Sequence, residues 1–237
     1  MADGGFAIAY ATYSGIEVQR FDAASVATGT PIQADYPGNY DTSPTISGLP
    51  DGGLLMTWMG YRMDPSDPWN DGIAVRRFDA DGLPLGEPQQ VNTESYGNQG
   101  AMSVAVLADG GWVVTWSSDK DDMQDIYGQV YNSDGTLRGG EIHLANAGYQ
   151  FAPSVSALDD GGFIVAWGSD DIVAQRFDAQ GTASGDQFVV NQNLAGEQGA
   201  PMIPTPTTPS RRTAPSSMTN TPKALCAIPI PMKPPVT

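Results

Sequence analysis

The sequence predicts an all-β chain: a β-propeller-like array of about four blades, each a four-stranded antiparallel sheet. Two recurrences predict it. The motif Asp-Gly-Gly returns in "MADGGFAIAY" at the start, "GLPDGGLLMTW" at 48–58, "VLADGGWVVTW" at 106–116 and "ALDDGGFIVAW" at 157–167, so Asp3, Asp51, Asp109 and Asp160 are 48, 58 and 51 residues apart. A second motif marches with it: "EVQRFDA" at 17–23, "AVRRFDADG" at 74–82, "YGQVYNSDG" at 127–135 and "VAQRFDAQG" at 174–182. Self-similarity near fifty residues marks a repeat architecture, and four short strands per unit match a propeller blade.

The last unit shows the elements in order. "PSVSAL" (153–158) alternates apolar and polar residues and predicts strand one. "GFIVAW" (162–167) is a short β-branched and aromatic run bounded by glycine, which predicts strand two. "DIVAQRFDA" predicts strand three and "DQFVVN" (186–191) strand four. Asp-Gly between strands one and two suits a tight hairpin, and "DADG", "NSDG" and "DAQG" do the same between strands three and four. The glycines therefore read as turns. A phosphate-cradling loop would need a helix after it, and a strand follows instead.

Spacing also separates a constant half of the unit from a variable one. From Phe21, Phe78 and Tyr131 to the next Asp-Gly-Gly aspartate is 30, 31 and 29 residues, whereas the other half varies from 17 to 27. The variable half is an exposed loop between strands two and three, where binding residues concentrate. The expected blades lie near 1–34, 43–92, 101–146 and 152–192, with 200–203 opening a further strand and the first unit lacking its strand one. This start in mid-unit, with no signal peptide, reads as a fragment of a longer array.

Residues 204–237 break the pattern, with nine prolines, no acidic residue, four basic residues and the single Cys226. Such a tail cannot pair as strands and is expected to be disordered, read as a frame-shifted end in preference to a genuine Pro/Thr/Ser linker. Residues 1–203 carry all 27 acidic side chains against seven basic ones, a net of −20. That excludes nucleic acid as a partner. With no run of eighteen apolar residues, no membrane span is expected.

The unit "L-x-D-G-G-F-x-V-x-W … Q-R-F-D-A-x-G … V-N … Q-x-x-P" resembles repeats of large secreted proteobacterial proteins of the hemolysin-type, RTX-like, adhesin-like class. The resemblance covers residues 1–203 and implies an extracellular or cell-surface location and a binding or scaffolding role. It does not carry over the family's G-G-x-G-x-D calcium nonapeptide, which is absent here.

Two variable loops are acidic. Asp119, Asp121, Asp122 and Asp125, and in the longest loop Asp64, Asp67 and Asp71, are candidate Ca²⁺ ligands, set against the reading of plain solvated loops. Trp69, off the repeat pattern, is the candidate ligand contact. Trp58, Trp116 and Trp167, with Tyr10 in the first unit, are either blade packing or sugar shelves; packing is expected. Arg20, Arg77 and Arg176 hold one repeated position, occupied in the third unit by Val130, and are expected to pair with Asp22, Asp79 and Asp178. His143, the only histidine, has no partner in sequence for a zinc site or a catalytic triad.

The resulting expectation is a non-enzymatic extracellular binding or scaffolding module, calcium as its candidate cofactor and a cell-surface glycan or protein as its partner. A lectin-like carbohydrate-binding propeller is the alternative. A glycan-cleaving enzyme comes third, for want of a catalytic cluster outside the repeat.

Overall fold

The computed structural model describes residues 4–36, 41–61, 71–93, 97–120, 123–145, 148–192 and 200–204. Two compact units are distinguished, Met1–Pro206 and Thr207–Thr237. The second, which contains nearly all of the expected disordered tail, lies outside the described residues.

The first unit is all-β and propeller-like. Blade 1 holds β1 (Phe6–Thr12), β2 (Gly15–Phe21) and β3 (Ala27–Gln33). Blade 2 holds β4 (Thr42–Gly48), β5 (Leu54–Tyr61), β6 (Asp71–Phe78) and β7 (Gln89–Gln90). Blade 3 holds β8 (Gln99–Val106), β9 (Trp112–Ser118), β10 (Asp125–Tyr131) and β11 (Ile142–Ala145). Blade 4 holds β12 (Phe151–Ala157), β13 (Phe163–Gly168), β14 (Ile172–Phe177) and β15 (Phe188–Val189). Every sheet is an antiparallel meander in chain order, three-stranded in blade 1 and four-stranded in the others. Residues 200–203, expected to open a further strand, form none; with Pro204 they lie against β12, where Ser154 Oγ accepts the Ile203 N–H at 3.0 Å and Ser156 Oγ donates to Pro204 O at 3.0 Å.

The hairpins decode the Asp-Gly-Gly motif residue by residue. Gly52 N–H bonds back to Leu49 O, and Leu49 N–H to Gly53 O. Only the first glycine takes positive φ, +87° at Gly52, +83° at Gly110 and +89° at Gly161, while the aspartate does not. The connection is thus a type I turn closed by a left-handed glycine, in place of the two-residue Asp-Gly turn expected from sequence. The second glycine is needed for a different reason. A Cβ on Gly53, Gly111 or Gly162 would collide with the carbonyl oxygen of Phe78, Tyr131 or Phe177 across the sheet. The aspartate caps the turn: Oδ1 of Asp51, Asp109 and Asp160 accepts the N–H of Gly53, Gly111 and Gly162 at 2.9, 2.9 and 3.1 Å.

The arginines meet these same aspartates. Arg77 approaches Asp51 at 3.6 Å and Arg176 approaches Asp160 at 2.7 Å. Where Val130 breaks the repeat, Arg138 reaches Asp109 at 2.6 Å from the next turn. The expected partners Asp79 and Asp178 are instead occupied within their own turns, Asp79 Oδ1 accepting Asp81 N–H and Leu83 N–H, and Asp178 Oδ1 accepting Gln180 N–H and Thr182 N–H. Asp22 does the same with Ala24 and Val26, and Arg20 donates to Ala80 O of the next blade at 2.7 Å.

The core lies between the sheets. One cluster joins Ile16 and Val18 of blade 1 to Leu54, Met56 and Trp58 of blade 2. The next joins Leu55, Ile73 and Val75 of blade 2 to Trp112, Val114 and Trp116 of blade 3. The third joins Val113, Ile126 and Val130 of blade 3 to Phe163, Val165 and Trp167 of blade 4. Alternation along each second strand makes this possible, since successive side chains face opposite neighbours. Trp58, Trp116 and Trp167 are at most 2% exposed, so they pack and do not offer shelves to a sugar. Trp58 Nε1 donates to Asp41 Oδ2 at 2.9 Å, and Trp116 Nε1 to Gln99 Oε1 at 3.0 Å. Between these acceptors and the tryptophan lies an extra residue in β4, β8 and β12, where register shifts by one and Ser43, Ala101 and Ala152 take φ of 53°, 47° and 49°. The first strands of blades 2, 3 and 4 therefore bear the same bulge.

Candidate functional site

The chain's only histidine meets the only lysine of residues 1–203 in blade 3. Strand β10 supplies Asp125 and Tyr127, the turn after β9 supplies Lys120, and the start of β11 supplies His143, with Glu141 just before it. His143 Nε2 and Asp125 Oδ2 are 2.8 Å apart. The imidazole stacks on the Tyr127 ring, centroids 4.5 Å apart and planes within 3°. Lys120 Nζ lies 4.2 Å from the centroid of the same ring and 3.5 Å from Glu141 Oε1. Glu141 Oε2 accepts the N–H and the hydroxyl of Thr93, from the link out of blade 2, at 2.8 and 3.0 Å. Two carboxylates thus sit in unlike surroundings, one at hydrogen-bond distance from an imidazole, the other held by a cation and two donors.

The cluster is a local departure from the repeat. In blades 2 and 4 the second residue after the fourth strand is asparagine, and Asn92 and Asn191 Oδ1 accept the N–H of Ile73 and Ile172 at 2.8 Å each. Asp171, which matches Asp125, takes Asn191 Nδ2 at 2.9 Å. In blade 3 Ala145 pairs with Ile126, as Val91 and Val190 bond to Ile73 and Ile172, and His143, before a register shift in β11, is the partner of the aspartate. The sequence reading passed over this cluster because its members are single residues 23 positions apart at the extremes, Lys120 to His143. The available signal was that the sole histidine and the sole lysine of the repeats fall in one blade.

Exposed aromatic surface adjoins it. Tyr149 is 63% exposed and its ring lies 6.1 Å from that of Phe151. The neighbouring Gln150 N–H bonds to Gln124 O at 2.7 Å, which ties this link to the residue before Asp125.

The expected calcium ligands are placed as follows. Asp119 accepts the backbone N–H of Asn98, and its Oδ2 takes Asn98 Nδ2 at 3.0 Å. Asp125 faces His143. Asp71 begins β6, opposite Tyr61. Asp64, Asp67, Asp121, Asp122 and the candidate contact Trp69 lie outside the described residues. Among the described residues no three His, Cys, Asp or Glu gather closely enough to hold a metal ion.

No family model matches the chain, and no curated protein matches it. Among solved structures it is similar to a protein of unknown function from Dyadobacter fermentans (14% identity, 78% of this chain and 55% of that one, TM-score 0.51). It is similar to the GH93 α-L-arabinofuranosidase of Fusarium graminearum, solved in complex with arabinobiose (13% identity, 76% of this chain and 61% of that one, TM-score 0.51). A protein of unknown function from Bacteroides caccae aligns at 10% identity over 83% of this chain and 60% of that one, TM-score 0.48. The chain thus spans between 55% and 61% of the length of these structures. At such identities the likeness shows the fold.

These findings correct two expectations. The resemblance to RTX-like, hemolysin-type calcium-binding adhesins gives way, because the similar structures named above are a glycoside hydrolase and a protein of unknown function. The non-enzymatic reading falls with it. It rested on the want of a catalytic cluster outside the repeat, whereas a chain of similar fold is an α-L-arabinofuranosidase. The partner reading stands in its coarser form: a propeller of this fold was solved with a glycan bound, and no helix among the described residues is long and apolar enough to cross a membrane.

Proposed function

We propose that this chain is a carbohydrate-active β-propeller that takes a short oligosaccharide beside blade 3 and hydrolyses a glycosidic bond. The observation that carries the reading is a pair of differently supported carboxylates in blade 3, Asp125 at 2.8 Å from His143 and Glu141 at 3.5 Å from Lys120. Glycoside hydrolysis needs one group that delivers a proton to the leaving oxygen and one carboxylate that stays ionised at the anomeric carbon. The Asp125–His143 couple can hold and deliver that proton. Glu141, beside an ammonium and accepting from Thr93, is the carboxylate that activates water or attacks directly. Tyr149 offers an exposed ring on which a sugar face can stack. The match to a propeller solved with arabinobiose supports a pentose-containing glycan as the first substrate class to try, and a cell-surface or extracellular polysaccharide suits the acidic composition of the chain.

The test is release of reducing sugar from arabino-oligosaccharides by the wild type and by D125N and E141Q. Each variant is expected to lose turnover by about two orders of magnitude or more while its circular dichroism is unchanged. Y149A is expected to raise KM and leave kcat alone. Wild-type binding without product, or equal product from all three proteins, removes the hydrolase assignment.

A further inference from the structure

We infer that the seam between blades 2 and 3 binds a single small hydrogen-bond acceptor, a water oxygen or a halide ion, through Arg77 Nε and Trp112 Nε1. A cavity of about 50 Å³ lies there, lined among others by Val75, Arg77, Leu85, Trp112 and Asp134. Both nitrogens are buried and have no protein partner. Trp112 is 1% exposed, and the Arg77 guanidinium lies over its ring, 5.5 Å from the centroid.

The arginine recurs in other blades, but the Trp112 indole belongs to this seam alone. The position of Trp112 is filled by Phe6, Leu54 and Phe163 in the other blades, as their pairing with Phe21, Phe78 and Phe177 shows. None of those has a donor to satisfy. Buried N–H groups almost always find a partner, and leaving two unpaired is costly. The carboxylates nearby are engaged elsewhere. Asp134 Oδ1 accepts the Thr136 N–H at 2.9 Å and its hydroxyl at 2.7 Å. Glu87 Oε2 accepts the Tyr36 hydroxyl at 2.8 Å and lies 3.7 Å from Arg76. What remains is a pair of donors with no acceptor, in a space the size of one or two water molecules (about 30 Å³ each in the liquid). That combination selects an acceptor atom and rejects a metal cation. It lies apart from His143 and Asp125, so it does not depend on the glycosidase reading.

Crystals of the whole chain grown with chloride, and again with bromide, test this. We expect one peak of density within about 3.3 Å of both nitrogens. Anomalous signal from bromide at that peak identifies a halide, and an oxygen-sized peak without the signal identifies water. An empty seam with both nitrogens turned onto protein carbonyls overturns the inference. In solution the Trp112 indole proton, assigned by its loss in W112F, gives an independent reading. It should show either magnetisation exchange with water or a saturable shift on bromide titration, and an indole proton that shows neither also overturns it.

Discussion

Ser154 Oγ accepts the backbone N–H of Ile203 at 3.0 Å, just as Ser103 Oγ accepts that of Val155 at 3.2 Å. The inner strand of each of these blades thus supplies an acceptor to the segment beside it, one repeat further on. S103A removes the acceptor from a part-buried amide, so it should cost about 1 kcal/mol. Hydrogen exchange should locate the loss. The Val155 amide is expected to exchange faster relative to its neighbours in β12, and uniform acceleration across the chain would assign the effect to global destabilisation.

Trp116 fills the seam between blades 2 and 3 and donates to Gln99. W116A should cost about 3–5 kcal/mol by loss of burial and creation of a cavity. W116F keeps most of the ring and loses the bond, and should cost less. Denaturant midpoints for the two give the order. A W116A protein as stable as the wild type would mean the seam collapses around the gap.

Tyr131 carries a hydroxyl at the strand-three position that Phe21, Phe78 and Phe177 hold in the other blades. It stacks on Trp112 at 5.3 Å, its hydroxyl is buried without a protein partner, and burial pushes its phenol well above the ordinary range. Y131F removes an unsatisfied group at nearly constant shape. It should raise stability by about 1 kcal/mol, and a drop of that size would show that the hydroxyl is satisfied in solution.

Asp109 sits below the ordinary carboxylate range. Desolvation is the largest single influence and acts upward, but it is outweighed by the Gly111 N–H and by Arg138 together. A carboxyl whose folded value is depressed contributes stability that is present above its unfolded value, about 3.9. That contribution is lost as pH falls through the folded value. The stability gap between wild type and D109N should therefore be constant from pH 7 to 5 and close below about pH 4. R138M should shrink the gap at neutral pH. A gap independent of pH would remove the ion pair as its cause.

Calcium in the loop that begins at Asp119 remains a proposal with a direct test. A bound ion stabilises by mass action, so millimolar CaCl2 should raise the melting temperature beyond NaCl of equal ionic strength. D119N should abolish the difference. Coincident curves reduce the effect to screening of the net charge.

The parts of the fold legible in sequence are those fixed within a few residues. The Asp-Gly-Gly and Phe-Asp-Ala turns are local, so their glycines could be read directly as turn residues, and short β-branched and aromatic runs such as "GFIVAW" announced the strands. Arg77 and Arg176 were visible as a repeated position, but their partners lie across the hairpin, and composition alone offered nearer aspartates. The substitution of Arg138 for Val130 is invisible without coordinates, because the cation arrives from a different turn. The bulges at Ser43, Ala101 and Ala152 have no glycine to mark them. The cluster around His143 is not periodic, and a search organised by repeats discards what does not recur.

No blade encloses a core of its own; the apolar clusters belong to the spaces between neighbours. Free energy in such a chain accrues per junction, as in a one-dimensional polymer with nearest-neighbour coupling. An excised blade would expose two greasy faces and melt. A recombination event that duplicates one whole period between links would, by contrast, add a junction and leave the others untouched. The sequence can therefore diverge freely inside one blade, as blade 3 has done with His143 and Trp112, so long as the two faces it offers its neighbours stay apolar and of the right volume.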